Sequence, residues 1–185
     1  VDLGESDTQL GHDVTLLTRC GALPVDDRAM SLPEGIPSQA VARGAGEGET
    51  LVGAAGVRYL VRLSGRDTGG ELAVVDCVLA PGAVGAAPHT HHGHVETFQV
   101  VDGEVTFTVG TDDVVLGDDG WVSVPRGVRH AFRNDGGSDA LLRCVLTPAG
   151  YEDYFREVAQ LVAAGVEPGP DELAKLRSRF RTTTG

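Results

Sequence analysis

Along the middle of the chain, apolar residues recur at every second position in short runs closed by glycine, proline, asparagine or aspartate. Val105-Thr106-Phe107-Thr108-Val109 alternates strictly, the pattern of a strand with one buried face. Strands are predicted over residues 57–63, 72–79, 96–101, 104–109, 113–116, 121–124, 130–133 and 140–146. Asp102-Gly103 reads as a tight hairpin turn, and residues 44–49 and 64–70 read as loops. After Pro148 the period changes. Tyr151, Tyr154, Phe155, Val158, Leu161 and Val162 recur at three and four residues, which predicts a helix ended by Gly165. A break at Pro168-Gly169-Pro170 precedes a second predicted helix from Asp171 to Phe180. Residues 1–40 show little periodicity and contain the turn-rich Leu32-Pro33-Glu34-Gly35-Ile36-Pro37, so they read as an extended arm with a short helix or strand near 14–18.

Short antiparallel strands followed by helices predict an all-β fold: a small antiparallel β-barrel or jelly roll with C-terminal helices and an N-terminal arm. The expected division is an arm over 1–45, a candidate dimerisation strand; a barrel over 46–148; and a helical segment over 149–185. No histidine-rich motif repeats, so one barrel is expected.

The length of 185 residues suits one domain with appendages, and 41% hydrophobic residues suffice for one core. The 26 glycines fall largely in short connections between Val- and Leu-rich runs, which favours strands. A formal charge of −12, from 27 acidic against 15 basic residues, argues against nucleic acid and anionic membrane surfaces as partners. Cys20, Cys77 and Cys144 are widely spaced and form no Cys-x-x-Cys pair, so neither a disulfide framework nor a thiolate zinc site is implied. Cys77 and Cys144 sit in apolar runs and read as small core residues. With no signal-peptide pattern and no apolar run of membrane-spanning length, the expected location is cytoplasmic.

Pro88-His89-Thr90-His91-His92-Gly93-His94-Val95-Glu96 places four histidines and a carboxylate together. Residues two apart on a strand share a side, so His89 and His91 converge, and a turn at 92–94 brings Glu96 to them on the next strand. The Pro125-Arg126-Gly127 turn aims His130 from a distant strand at the same centre. Imidazoles with one carboxylate suit a first-row divalent ion. His92 and His94 are expected to stand behind the ligands or in solvent.

These residues resemble the two sequence motifs of the cupin superfamily over roughly 57–148. Gly82, His89, His91, Glu96 and Gly103 match the first motif, and Pro125, Gly127, His130 and Asn134 match the second. Six residues separate Gly82 from His89 where five are usual, and Asp119 stands where the second motif has glycine. Both departures are expected to fall in loops. The resemblance implies that His89, His91, Glu96 and His130 hold one divalent transition metal per chain. Fe2+ is favoured, with Ni2+, Mn2+, Co2+ or Zn2+ as alternatives.

Alternation places Phe98, Val100, Val128 and Phe132 on the ligand face, flanked by Tyr59, Phe107 and Trp121; these either line an apolar substrate pocket or fill the core. Arg58 and Arg62 stand either at its mouth or on the surface. The single barrel followed by Pro-Ala-Gly-Tyr-Glu-Asp-Tyr-Phe looks most like quercetin dioxygenase-like proteins. That likeness implies a metal-dependent dioxygenase acting on a cyclic enolic, phenolic or flavonol-like molecule. In it Glu96 is both ligand and catalytic base, and Phe98 and Phe132 pack on the substrate ring. The alternatives are a redox-free cyclase or isomerase in secondary metabolism and a non-enzymatic small-molecule-binding protein. A small-molecule substrate and a homodimer are the expected partners, with no nucleic acid and no membrane.

Overall fold

The structure is a computed structural model of the chain, and it describes residues 40–184. Most of the predicted arm over 1–45, with its candidate dimerisation strand, lies outside the described residues, as does Cys20. The described residues form two antiparallel sheets, and the inner faces of both carry the core.

The strands in chain order are β1 (Glu49–Val52), β2 (Arg58–Leu63), β3 (Ala73–Leu79), β4 (Val84–His91), β5 (Val95–Asp102), β6 (Val105–Val109), β7 (Asp112–Leu116), β8 (Trp121–Val124), β9 (Arg129–Arg133), β10 (Ala140–Thr147) and β11 (Thr182–Thr184). Helix α1 (Gly65–Thr68) is a single turn, whereas α2 (Glu152–Ala163) and α3 (Pro170–Arg179) follow the barrel. One sheet has the order β1-β2-β3-β10-β5-β8 and the other β11-β4-β9-β6-β7. No described helix is long and apolar enough to cross a membrane.

Period-two patterning builds the core. Ala73, Val75, Cys77 and Leu79 of β3, Glu96, Phe98 and Val100 of β5, and Ala140, Leu142, Cys144 and Leu146 of β10 all turn inward and are buried. Phe98, Phe107 and Phe132 meet with ring centroids 5.3–6.0 Å apart across the two sheets. Burying an aromatic side chain of this size contributes up to about 3 kcal/mol. The outer face of β3 carries one buried charge. Asp76 accepts from Arg62 Nε at 2.8 Å and Arg143 Nε at 2.7 Å, so neighbouring strands neutralise it in place.

Four sequence expectations change. Asp102-Gly103 closes no hairpin, because β5 and β6 lie in different sheets and the turn carries the chain across the barrel edge. Gly103 has φ +87° there and packs against the Asp139 carbonyl, a position only glycine takes without strain. Secondly, the extra residue between Gly82 and His89 lies within β4, where two register shifts against β9 absorb it. Thirdly, residues 65–68 form α1 rather than an irregular loop; the Asp67 carboxylate accepts from the Ser64 backbone N–H at 2.8 Å and closes a capping box. Finally, the chain does not end on its second helix, since β11 returns to pair with β4. The second departure does fall in a turn. Asp119 takes φ +60°, and its carboxylate accepts from Gln99 Nε2 at 2.8 Å.

Helix α2 is docked through Glu152. Its buried carboxylate accepts from the backbone N–H of Gly65 at 2.8 Å and of Gly150 at 2.6 Å. Tyr151, Tyr154, Val158 and, from α3, Leu176 then join the barrel core. The helices therefore close one end of the barrel.

Candidate metal centre

His89 and His91 project inward from β4, and the pairing of His89 with His130 of β9 sets a third imidazole beside them. Glu96 comes from β5 in the opposite sheet, so the cluster spans the gap between the sheets. Ligand atoms of His89, His91, Glu96 and His130 all lie within 4.8 Å of one another, and all four residues are buried. His89 Nε2 is 2.9 Å from His91 Nε2, and Glu96 Oε2 is 2.8 Å from His130 Nε2 and 3.2 Å from His91 Nε2.

Hydrogen bonds at the far side of each ring decide what faces the centre. His89 Nδ1–H donates to the Ala87 carbonyl at 2.8 Å and His130 Nδ1–H to the Val128 carbonyl at 3.1 Å. Carbonyls only accept, so these nitrogens carry the protons and the Nε2 lone pairs point inward. His91 Nδ1 meets Thr182 Oγ1 at 2.7 Å, and that hydroxyl itself donates to the Phe180 carbonyl at 3.2 Å. Three inward lone pairs and an ionised carboxylate, packed this closely, repel one another unless a cation stands between them. The residues present therefore fit a divalent ion, and the imidazole–carboxylate donor set is one that first-row metals accept.

The electrostatics agree. Burial pushes His89 down to about 3 and also lowers His91, so both are neutral imidazoles at ordinary pH, the form a metal would need. Burial pushes the Glu96 carboxyl up, but His91, His130 and His94 outweigh it and hold it well below the usual carboxylate range. Burial raises the Cys77 and Cys144 thiols and the Tyr59 and Tyr151 hydroxyls, which keeps them protonated.

Of the two places expected for His94, the structure gives the one behind the ligands. It is buried rather than solvent-exposed, packed between His91 and Tyr151 with ring centroids 4.1 and 4.7 Å away. Its Nε2 has no hydrogen-bond partner and stands 3.6 Å from Glu96 Oε1. His92 is exposed on the outside of the barrel, with Nε2 3.1 Å from Thr183 Oγ1.

A cavity of about 40 Å³ lies directly against His89 and Glu96. Tyr59, Phe98 and Phe132 line it; Phe107 sits behind Phe98 and does not. Gly85 lets the Phe132 ring lie flat on β4, where a Cβ would strike that ring. Trp121 must be removed from the proposed pocket. It is 56% exposed on the outer face of β8, because Val122 and Val124 take the inward positions there. Arg58 pairs on the surface with Asp139 at 3.6 Å, and Arg62 is held by Asp76, so neither stands at the mouth. Val100 and Val128 pack in or against the core away from the cavity lining. The residues missed are on or beside the helices: Tyr151, Tyr154, Phe155 and Arg177 complete the lining together with Cys77 and Cys144. Their only signal was the aromatic spacing at 151, 154 and 155, which reads equally as a helix core face.

Fold and donor set together define a two-sheet jelly roll with a buried three-histidine, one-glutamate centre. Residues 75–146 match the family model described as Cupin domain. Among solved structures, the chain is similar to KdgF from Halomonas sp. at 19% identity and TM-score 0.51, covering 57% of this chain and 92% of that one. It is also similar to an RmlC-like cupin from Shewanella frigidimarina, at 22% identity and TM-score 0.51, over 60% of this chain and 93% of that one. A sugar phosphate isomerase from a cupin superfamily, from Silicibacter pomeroyi, matches at 21% identity and TM-score 0.51, over 58% and 75%. At these identities the likeness is one of fold. No curated protein sequence matches the chain. The barrel thus carries a Cupin domain match over residues 75–146, and the neighbours share its fold.

Proposed function

We propose that the protein is a metal-dependent enzyme, a quercetin dioxygenase-like oxygenase that combines dioxygen with a cyclic enolic, phenolic or flavonol-like small molecule. The observation that carries this reading is a buried donor set of which His89 and Glu96 line a cavity with aromatic walls. His89, His91, His130 and Glu96 Oε2 would hold the ion, with Fe2+ favoured. A bound divalent metal would supply polarisation of a substrate oxygen and, if redox-active, electron transfer to dioxygen.

The chain's own residues do the rest. Glu96 Oε2 faces His91 and His130, which leaves Oε1 turned toward His94 Nε2 at 3.6 Å and Cys144 Sγ at 3.9 Å. Glu96 Oε1 would take the hydroxyl proton of a substrate entering the cavity. Phe98, Phe132 and Tyr59 pack on the reacting end of the substrate, while Tyr151 and Tyr154 wall the same cavity and exclude water from it.

The test is oxygen uptake by metal-loaded protein against a panel of flavonols, enols and phenols, beside the same incubations without oxygen. Uptake coupled to substrate loss is expected, and abolished in Glu96→Gln. Turnover undiminished without oxygen would sink the oxygenase reading and assign the same residues to redox-free cyclisation or isomerisation. The reading includes a homodimer. Support comes from the sheet-edge strands β1 and β7, which expose Val52, Val114 and Val115. Sedimentation equilibrium showing only monomer would remove it.

A further inference from the structure

Arg177 of α3 is the unusual cation of the described residues. It is only 9% exposed, and its Nε has no hydrogen-bond partner. Arg62, Arg143, Arg133, Arg156 and Arg179 each meet a carboxylate. Among the described residues no carboxylate pairs with Arg177; its guanidinium stands 5.6 Å from the centre of the Tyr154 ring. Ring contact offsets part of the cost of burying a cation but leaves the donor at Nε unused. A buried guanidinium with a free donor is a site prepared for an anion.

Its position says which anion. Arg177 stands where two spaces meet. The inner one, about 40 Å³, reaches His89 and Glu96, and the outer groove, about 500 Å³, runs between β4 and the two helices. Tyr59, Gly85, Ala86, Tyr154, Phe155 and Arg177 line both. Beyond that neck the groove is walled by Val84, Pro88, Val158 and Leu173, with Asp171 and Thr184 as its polar members. A groove of this size takes the body of a small organic molecule. The inner space takes only a small head.

We propose that Arg177 binds the carboxylate of an amphipathic substrate whose apolar body fills the outer groove, and so orients the reacting end toward Glu96 and His89. The substrate class becomes an enolic or phenolic acid rather than a neutral polyphenol. The identity of the reacting end rests on the oxygenase reading above; the carboxylate does not. Arg177 is on this account a substrate-binding residue contributed by the helical cover, outside the barrel motifs.

The experiment compares 3-phenylpropanoate with 3-phenylpropan-1-ol, which share a skeleton and differ in charge. Both are titrated calorimetrically into the full chain, metal-free and Zn2+-loaded. The acid is expected to bind tighter than the alcohol by about tenfold or more, the worth of one charge-assisted contact, in both forms. Arg177→Met should abolish the preference while leaving metal content unchanged, and Arg177→Lys should keep part of it. The wild-type comparison needs no variant, so a folding defect cannot mask the result. An acid that binds no better than the alcohol, or no binding of either, overturns the proposal. So does a preference that disappears with the metal, since the carboxylate would then be sitting on the ion. The metal reading fails separately, if elemental analysis finds no ion while the carboxylate preference persists.

Discussion

His91 Nδ1 and Thr182 Oγ1 lie 2.7 Å apart, which ties an imidazole of the central site to the last strand of the chain. Because the Thr182 hydroxyl donates to the Phe180 carbonyl, it is left as an acceptor and holds the proton on His91 Nδ1. Thr182→Val removes that acceptor without changing the volume of the side chain. Metal affinity is expected to fall by roughly 10- to 100-fold, with the fold intact. Thr182→Ser should restore most of it. Competition with a chromophoric chelator reads the affinity, and circular dichroism checks the fold. Equal affinity in Thr182→Val would show that β11 has no part in orienting the imidazole.

The donor set itself gives a second expectation. The closely spaced Nε2 lone pairs and the Glu96 carboxylate repel one another without a cation, so metal should stabilise the folded chain. A ligand present at about a hundredfold over its Kd contributes ~2.7 kcal/mol. Chelation should therefore lower the thermal midpoint by several degrees, and readdition should restore it. His130→Ala should bind no stoichiometric metal and show no chelator effect. A thermal midpoint indifferent to chelation would mean that the cluster is not a metal site.

Asp76 carries the pH dependence that can be worked out from the structure. Burial pushes its carboxyl up, but hydrogen bonds from Arg143 and Arg62 outweigh that and hold it below the ordinary value of 3.8. The folded state therefore binds fewer protons than the unfolded state near and below that value. The stabilisation is fully present above the unfolded value and is lost as pH falls through the lower folded one. Asp76→Asn should cost about 3 kcal/mol at neutral pH, since it leaves two arginines facing a neutral amide. It should also flatten the acid limb. Urea midpoints for both proteins from neutral pH to below 3.8 provide the check. A wild-type acid limb unchanged by the substitution would remove Asp76 from the account.

The sequence carried the barrel wherever alternation was strong, and the reason is visible in the strands it missed. β4, read as a strand only around His89 and His91, runs Val-Gly-Ala-Ala-Pro-His-Thr-His with a proline and few β-branched residues, and its register against β9 shifts twice. β1 is nearly all exposed, so no apolar period marks it, and β11 is three threonines held by pairing with β4. The four converging residues were legible because chemistry and spacing both pointed to them. Trp121 was misplaced by ignoring phase: it shares a face with polar Ser123, opposite Val122 and Val124. Tyr151, Tyr154 and Arg177 reach the cavity only through the docking of helices onto a barrel end, a tertiary relation that no local pattern encodes.

That docking gives the last expectation. Glu152 accepts from Gly65 N at 2.8 Å and from Gly150 N at 2.6 Å, so one buried carboxylate joins the start of α2 to the corner after β2. Glu152→Ala removes the charged acceptor of two amides, the half-buried Gly65 N–H and the exposed Gly150 N–H, at a cost of about 2 kcal/mol. Glu152→Gln keeps one acceptor oxygen and should cost less. Tyr151 begins the same segment and packs on both His91 and His94, with centroids 4.5 and 4.7 Å apart, so loosening α2 should uncover the centre. Metal release into excess chelator should accelerate in Glu152→Ala by more than its equilibrium affinity falls, because opening of the cover precedes escape. Stopped-flow chelation reads the rate, and denaturant unfolding reads the stability. If stability falls while release keeps its wild-type rate, the ion leaves by a route that does not pass beneath the helices.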